Sequence, residues 1–339
     1  FYLFVAVAVA VVLAGVGSGS YALAHGFGPR TGVWTDLQMS GTTPDPEWYS
    51  AAYDPQSNKL ILFCESGNAG VPGQTWAFDP QAKTYVKLLP SGSPPSTQPL
   101  TMVFDESSGK IVCFGNVSAS PSAWRSATWS YDPRENTWTE IDPAIFPPTL
   151  VWSSMVYHSA MGKVVLLGSD RSGNHMWSYD SAANTWAELT PAGMPPARVA
   201  GMMAYDETQN RLVLFGGISG RPIPPDNLLN DTWTYDSTSN TWVEMKPATP
   251  PEARQSASIV YDEASGKVVL FGGLAADHAL ADTWVYDSAA DSWTELHTSG
   301  SPPARLGAFA FYAESTHQVL LQGGYGRDEA FTDAWAFSL

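Results

Sequence analysis

Asp231-Thr232-Trp233-Thr234-Tyr235-Asp236 is followed by four small polar residues and then by Thr241-Trp242-Val243-Glu244. Two short runs of β-branched and aromatic residues joined by a polar turn read as a β-hairpin. The reading recurs along the whole chain. The leading tryptophan returns as Trp76, Trp129, Trp177, Trp284 and Trp335, and with Trp233 the spacings are 53, 48, 56, 51 and 51 residues. Five of the six have a partner aromatic nine residues on: Tyr85, Trp138, Trp186, Trp242 and Trp293. With Trp34, eleven of the fourteen tryptophans fall on this lattice. A position filled in every repeat predicts core packing, where each indole hides roughly 150–250 Å².

Upstream of each hairpin lie two more candidate strands. The first ends in an aromatic, usually followed by Asp, as in Tyr53-Asp54, Phe104-Asp105, Tyr205-Asp206 and Tyr261-Asp262; Tyr157 is followed by His158. The second is a plain apolar run, such as Leu212 to Phe215 or Val268 to Phe271. Such runs lack alternation, which predicts burial on both faces. Gly216-Gly217, Gly272-Gly273 and Gly323-Gly324 close three of these runs; Cys64-Glu65, Gly115-Asn116 and Gly168-Ser169 replace the pair in the others. The last repeat stops at Leu339 without a fourth strand, and Gly32-Val33-Trp34-Thr35-Asp36-Leu37 has the missing pattern. An N-terminal strand would seal that otherwise open edge.

Repeats near fifty residues, the paired glycines and the Trp lattice resemble the kelch propellers. The resemblance covers residues 32–339 and implies an all-β, six-bladed kelch β-propeller closed by an N-terminal strand. One hydrophobic α-helix over residues 1–28 and a hinge at 29–31 are expected to precede it.

The bulk composition agrees. Charged residues are 15% of the chain, whereas Gly and Pro number 29 and 26, which suits many short strands and turns. The net charge of -16 repels phosphate backbones, so nucleic acid is not an expected partner. The two cysteines, Cys64 and Cys113, read as small buried residues, with a bridge between blades as the alternative. Asn116 and Asn230 head Asn-x-Ser/Thr triplets in predicted loops and are glycosylation candidates.

Chemistry is harder to find. The fold resembles the catalytic domain of galactose oxidase, which implies copper held by Tyr and His. Here His25, His158, His175, His278, His297 and His317 are scattered, with none at ligand spacing. No metal, cofactor or catalytic residue is assigned. Kelch enzymes that mutarotate sialic acid suggest a second comparison, with polar groups around the channel. Arg198, Arg254 and Arg305 each follow a Pro-Pro pair at the start of a first strand and could hold an anion. The competing reading pairs them with Asp231, Asp282 and Asp333, which occur in the same three repeats. Long connections between second and third strands carry Trp124, and the inter-blade connections carry Trp48 and Trp152. Exposed tryptophans there could stack on sugars or anchor a protein.

Residues 1–16 carry no charge, and leaving so long an apolar run in water would cost on the order of 10–20 kcal/mol. Ala22-Leu23-Ala24 fits a secretion-signal cleavage site, and a 28-residue helix of roughly 42 Å would span a bilayer. The third reading is similarity to type IV pilins, which lose a leader and bundle their apolar N-terminal helices. Val5 stands where bacterial pilins carry Glu, so the archaeal type is the nearer resemblance. It implies self-association through Phe1, Leu3, Phe4, Val5, Val9, Val12, Leu13 and Val16, with the membrane as host before assembly. The expectation is a cell-surface, extracellular filament subunit that displays its propeller to surface glycans or proteins. A single-span anchored propeller and a secreted glycan-processing enzyme are the alternatives.

Overall fold

Each Trp hairpin forms with the pairing its alternation predicts. In the fourth repeat Trp233 faces Glu244 and Tyr235 faces Trp242 across the ladder. A computed structural model describes residues 31–44, 49–64, 73–95, 100–120, 123–220 and 227–339, without the side chains of 118–120 and 123. The expectations for residues 1–28 and for hinge residues 29 and 30 lie outside the described residues, as does Trp48. Among the described residues no helix is long and apolar enough to cross a membrane.

The strands make six antiparallel sheets, one per repeat. Blade 1 comprises Tyr49–Asp54, Lys59–Cys64, Gln74–Asp79 and Thr84–Lys87, and blade 2 Thr101–Asp105, Lys110–Ser120, Ala123–Asp132 and Thr137–Ile141. Blade 3 is Val151–His158, Lys163–Ser169, Asn174–Asp180 and Thr185–Leu189; blade 4 is Met202–Asp206, Arg211–Ser219, Leu228–Asp236 and Thr241–Met245, with a short Arg198–Val199 added. Blade 5 runs Ser258–Asp262, Lys267–Leu274, Ala279–Asp287 and Ser292–Leu296. Blade 6 holds Phe309–Ala313, Gln318–Gln322 and Ala334–Ser338, and its fourth strand is Val33–Asp36 from the other end of the sequence. Val33 pairs with Ser338 and Asp36 with Trp335, so the ring closes as the unpaired last repeat predicts.

The first strand of each blade lines the axis and the fourth lies at the rim. Between blades, the apolar second strands are buried on both faces: Leu62, Phe63, Val164, Val165, Leu212 and Phe215 are all essentially inaccessible. The fourth-strand tryptophans fill the blade-to-blade seams, and the threonine that precedes the third-strand Trp explains how. The indole N–H of Trp138 donates to Thr75, that of Trp186 to Thr128, that of Trp293 to Thr232 and that of Trp34 to Thr283, each at 2.9 Å. Each bond joins one blade to its predecessor and satisfies a buried donor. Blade 3 has Met176 at the threonine position, and the Trp242 N–H finds no partner among the described residues.

One local expectation holds and another changes. Cys64 and Cys113 are buried and no disulfide joins them. The long connections are partly strand rather than loop. Asn116 lies within Lys110–Ser120, and Asn230 within Leu228–Asp236. The ladder of blade 4 slips at Gly216-Gly217 and then resumes, with Gly217 opposite Leu229 and Ile218 opposite Leu228. Beyond this bulge the hairpin projects from the sheet, so the alternation that marks a half-buried strand is lost. Asn230 is exposed there, whereas the Asn116 amide nitrogen donates 2.6 Å to the carbonyl of Leu150 in the next blade.

Candidate functional site

The three arginines are the most regular polar feature. Arg198, Arg254 and Arg305 are almost wholly buried. Each guanidinium grips an aspartate with both terminal nitrogens: Arg198 holds Asp231 at 2.6 and 2.7 Å, Arg254 holds Asp282 at 2.6 and 2.7 Å, and Arg305 holds Asp333 at 2.6 and 2.8 Å. The Nη1 atoms also donate to the carbonyls of Gly216, Gly272 and Gly323. The second aspartate oxygen accepts the indole N–H of Trp233, Trp284 or Trp335 at 2.7 Å. Burial alone would raise the carboxyl of Asp231, but Arg198 and Trp233 hold it below the usual carboxylate range. With their forks already closed on Asp231, Asp282 and Asp333, these arginines face the sheet and not an anion in the channel. The pairing reading is the geometry observed.

The glycine pairs fit the same device. Gly217 and Gly273 have φ of 98° and 104°, and a Cβ on either would lie 2.8–2.9 Å from backbone atoms of the segment that leads into the first strand of the same blade, Val199 and Gly201 in one case and Gln255 in the other. Their amides donate 2.9 and 2.8 Å to the carbonyls of Arg254 and Arg305 in the next blade. Where the pair is absent, side chains supply the link. Ser169 donates to the Arg198 carbonyl as Asn116 does to that of Leu150.

The axial channel has two unlike mouths separated by Met102, Met155, Met203 and Ile259, which line the cavities at both ends. At the short-turn face a cavity of about 310 Å³ is ringed by Glu106, Glu207, Glu263 and Glu314. Burial, and then the neighbouring Glu207 and Glu314, push the carboxyls of Glu106 and Glu263 above their ordinary value. The recurring Asp-Glu after the first-strand aromatic (Asp105-Glu106, Asp206-Glu207, Asp262-Glu263) is the sequence signal for this ring, which pattern reading passed over.

The opposite mouth, at the face of the projecting hairpins, is larger, about 620 Å³. Thr101, Trp152, Ser153, Ser154, Gln255 and Ser256 contribute to its lining, and none of the described lining residues is charged. Trp152 is 46% exposed. Trp124, 49% exposed, sits on the blade 2 hairpin opposite Ser118 and does not line this mouth. Of the two candidate tryptophans among the described residues, then, the structure brings Trp152 and not Trp124 to the axis. Among the described residues no group of three His, Cys, Asp or Glu side chains could hold a metal ion.

Comparison with known proteins places this geometry. The profile of the KLHDC2/KLHL20/DRC7 Kelch-repeats domain matches residues 160–339. tRNA wybutosine-synthesizing protein 4 of Aspergillus fumigatus is 31% identical over 126 residues, which is 36% of this chain and 12% of that protein. Adagio protein 3 of Arabidopsis thaliana is 37% identical over 101 residues, 29% of this chain and 16% of its own. The chain thus spans only a small part of the curated relatives it matches. The solved structure of YjhT superposes with a TM-score of 0.66 at 14% identity, covering 86% of this chain and 95% of that one, a likeness of fold.

Proposed function

The chain belongs to the kelch-repeat family, and from that premise we propose that it is a binding propeller displayed at the cell surface, carried on an apolar N-terminal helix that polymerises in the manner of a type IV pilin. One observation carries the display reading. The chain enters the ring at Val33, opposite Ser338 at the end of a third strand, and therefore on the short-turn face. The wide neutral mouth opens on the other face, where Val151 pairs with Ser169. A helix of residues 1–28 that continued away from the ring on that face would leave the wide mouth pointing outward.

The polymerisation reading rests on the charge-free run of residues 1–16, whose small and β-branched side chains suit close helix packing. Adhesion or surface coating follows from mouth and display together. The mouth suits a neutral ligand, because its described lining has no Asp, Glu, His, Lys or Arg and presents hydroxyl and amide groups instead.

Negative-stain electron microscopy of the full chain after detergent removal tests the assembly. Fibres with propellers along their length are the expected result. Single propellers, one per micelle and stable only in detergent, overturn polymerisation and favour a single-span anchor, for which a helix of residues 1–28, roughly 42 Å, is also long enough.

A further inference from the structure

Four blades turn their backbone left-handed at one equivalent place, at or just before the start of the axial strand. The residues are Trp152 (φ 44°), Ala200 (φ 53°), Ser256 (φ 52°) and Gly307 (φ 64°). Each lies five residues before the aromatic that ends the strand, namely Tyr157, Tyr205, Tyr261 and Tyr312, and each lines the wide mouth. Three of the four are small, as a left-handed backbone prefers. Trp152 is the exception, since a bulky side chain at positive φ is strained. Nor does core packing compensate, because the ring is nearly half exposed. The outcome is a lopsided mouth, with one indole facing three small residues.

We propose that Trp152 is a stacking platform for a neutral, hydroxyl-rich ring, the hexose-type residue of a surface glycan. The proposal deepens the binding reading and rests on it. The cavity of about 620 Å³ falls within the roughly 300–1,000 Å³ typical of small-molecule sites. An indole offers a flat apolar face to the C–H face of a sugar, and Thr101, Ser153, Ser154, Gln255 and Ser256 supply donors and acceptors to its hydroxyls. The described lining has no charge to hold an ion of either sign, and the net charge of -16 repels anionic ligands. The ligand class is therefore uncharged.

Calorimetric titration and intrinsic tryptophan fluorescence with neutral oligomers of glucose, mannose, galactose and N-acetylglucosamine test this, each beside a sialylated or sulfated counterpart. At least one neutral oligomer is expected to bind and to change the fluorescence, with its charged counterpart weaker. Trp152→Ala should weaken binding about tenfold or more, with an unchanged or higher melting temperature, because it relieves strain. Trp152→Phe should keep most of the affinity. Equal binding by Trp152→Ala overturns the platform. Trp152-dependent capture of members of a random peptide library, with no oligosaccharide bound, overturns the glycan class but leaves the mouth as a recognition site. Silence of both panels overturns the recognition reading as well.

Discussion

His158 takes the place that Asp54, Asp105, Asp206 and Asp262 hold in other blades. Those carboxylates accept backbone amides of the turn, as Asp54 does from Gln56 at 3.0 Å and Asp206 from Gln209 at 3.0 Å. Blade 3 instead makes a 3-10 turn over Ser159–Met161 ending at Gly162, φ 61°. The imidazole is 0% exposed, stacks 4.3 Å from the Tyr205 ring, and neither nitrogen has a partner among the described residues. Burial accordingly pushes its pKa down to about 4. The unfolded chain takes up a proton below about pH 6.5 that the folded chain refuses until about pH 4. Stability is therefore present above pH 6.5 and lost as the pH falls toward 4, by about 3 kcal/mol for this group. His158→Phe keeps the stack and removes the titration. Urea unfolding at pH 7 and pH 4.5 should show the variant losing less stability than the parent on acidification. Glu106 and Glu263 act with the opposite sign, but they are common to both proteins and cancel in the difference. A difference that does not vary with pH would remove His158 from the account.

At the scale of the element, the Arg–Asp–Gly–Trp module joins the start of a blade, the bulge of its second strand and the head of its third. It was legible in the sequence because Arg and Asp occur together in the same three repeats and are absent together from the others. The six blades and the closing strand were legible for the same kind of reason: Trp34 completes a pattern that the last repeat leaves short. The left-handed turn at Trp152 was not, since side-chain periodicity does not record the sign of φ; only the small Ala200, Ser256 and Gly307 hinted at it. The projecting hairpins read as loops because they face solvent on more than one side, and Asn116 and Asn230 were misplaced with them. The module predicts asymmetry in its mutants. Arg254→Met strands the largely buried Asp282 carboxylate beside the Gly272 carbonyl and should cost about 3–5 kcal/mol. Arg254→Met combined with Asp282→Leu should recover most of that loss, because a buried ion pair contributes little over well-packed apolar groups. Chemical denaturation of both variants measures it. A double variant no more stable than the single one would mean that the pair itself, and not the orphaned charge, sets the energy.

The whole molecule depends on how its ring is fastened. Blade 6 is held to blade 1 by Tyr49, whose hydroxyl accepts the Gly324 amide at 3.2 Å, and by Tyr85, whose hydroxyl donates to the Thr332 carbonyl at 3.0 Å. It is held to blade 5 by the closing strand. The Trp34 amide donates 3.0 Å to Ser299 and the Ser299 amide 3.0 Å to Gly32, while the Trp34 ring packs 5.1 Å from Phe271 and 4.9 Å from Phe337. Its indole N–H reaches Thr283 at 2.9 Å. The strand has only four residues, Val33–Asp36, so most of its adhesion is in this one buried side chain. Trp34→Ala removes a large buried aromatic and should cost about 3–5 kcal/mol. Because the strand joins the two ends of the chain within one sheet, its loss exposes the edge of Ala334–Ser338 and weakens every seam in sequence around the ring. Calorimetry should therefore show one transition moved to lower temperature, with no early event confined to blade 6. A two-step melt of Trp34→Ala, in which blade 6 alone opens first, would show that the blades fold as separable units and that the closing strand fastens only its own sheet.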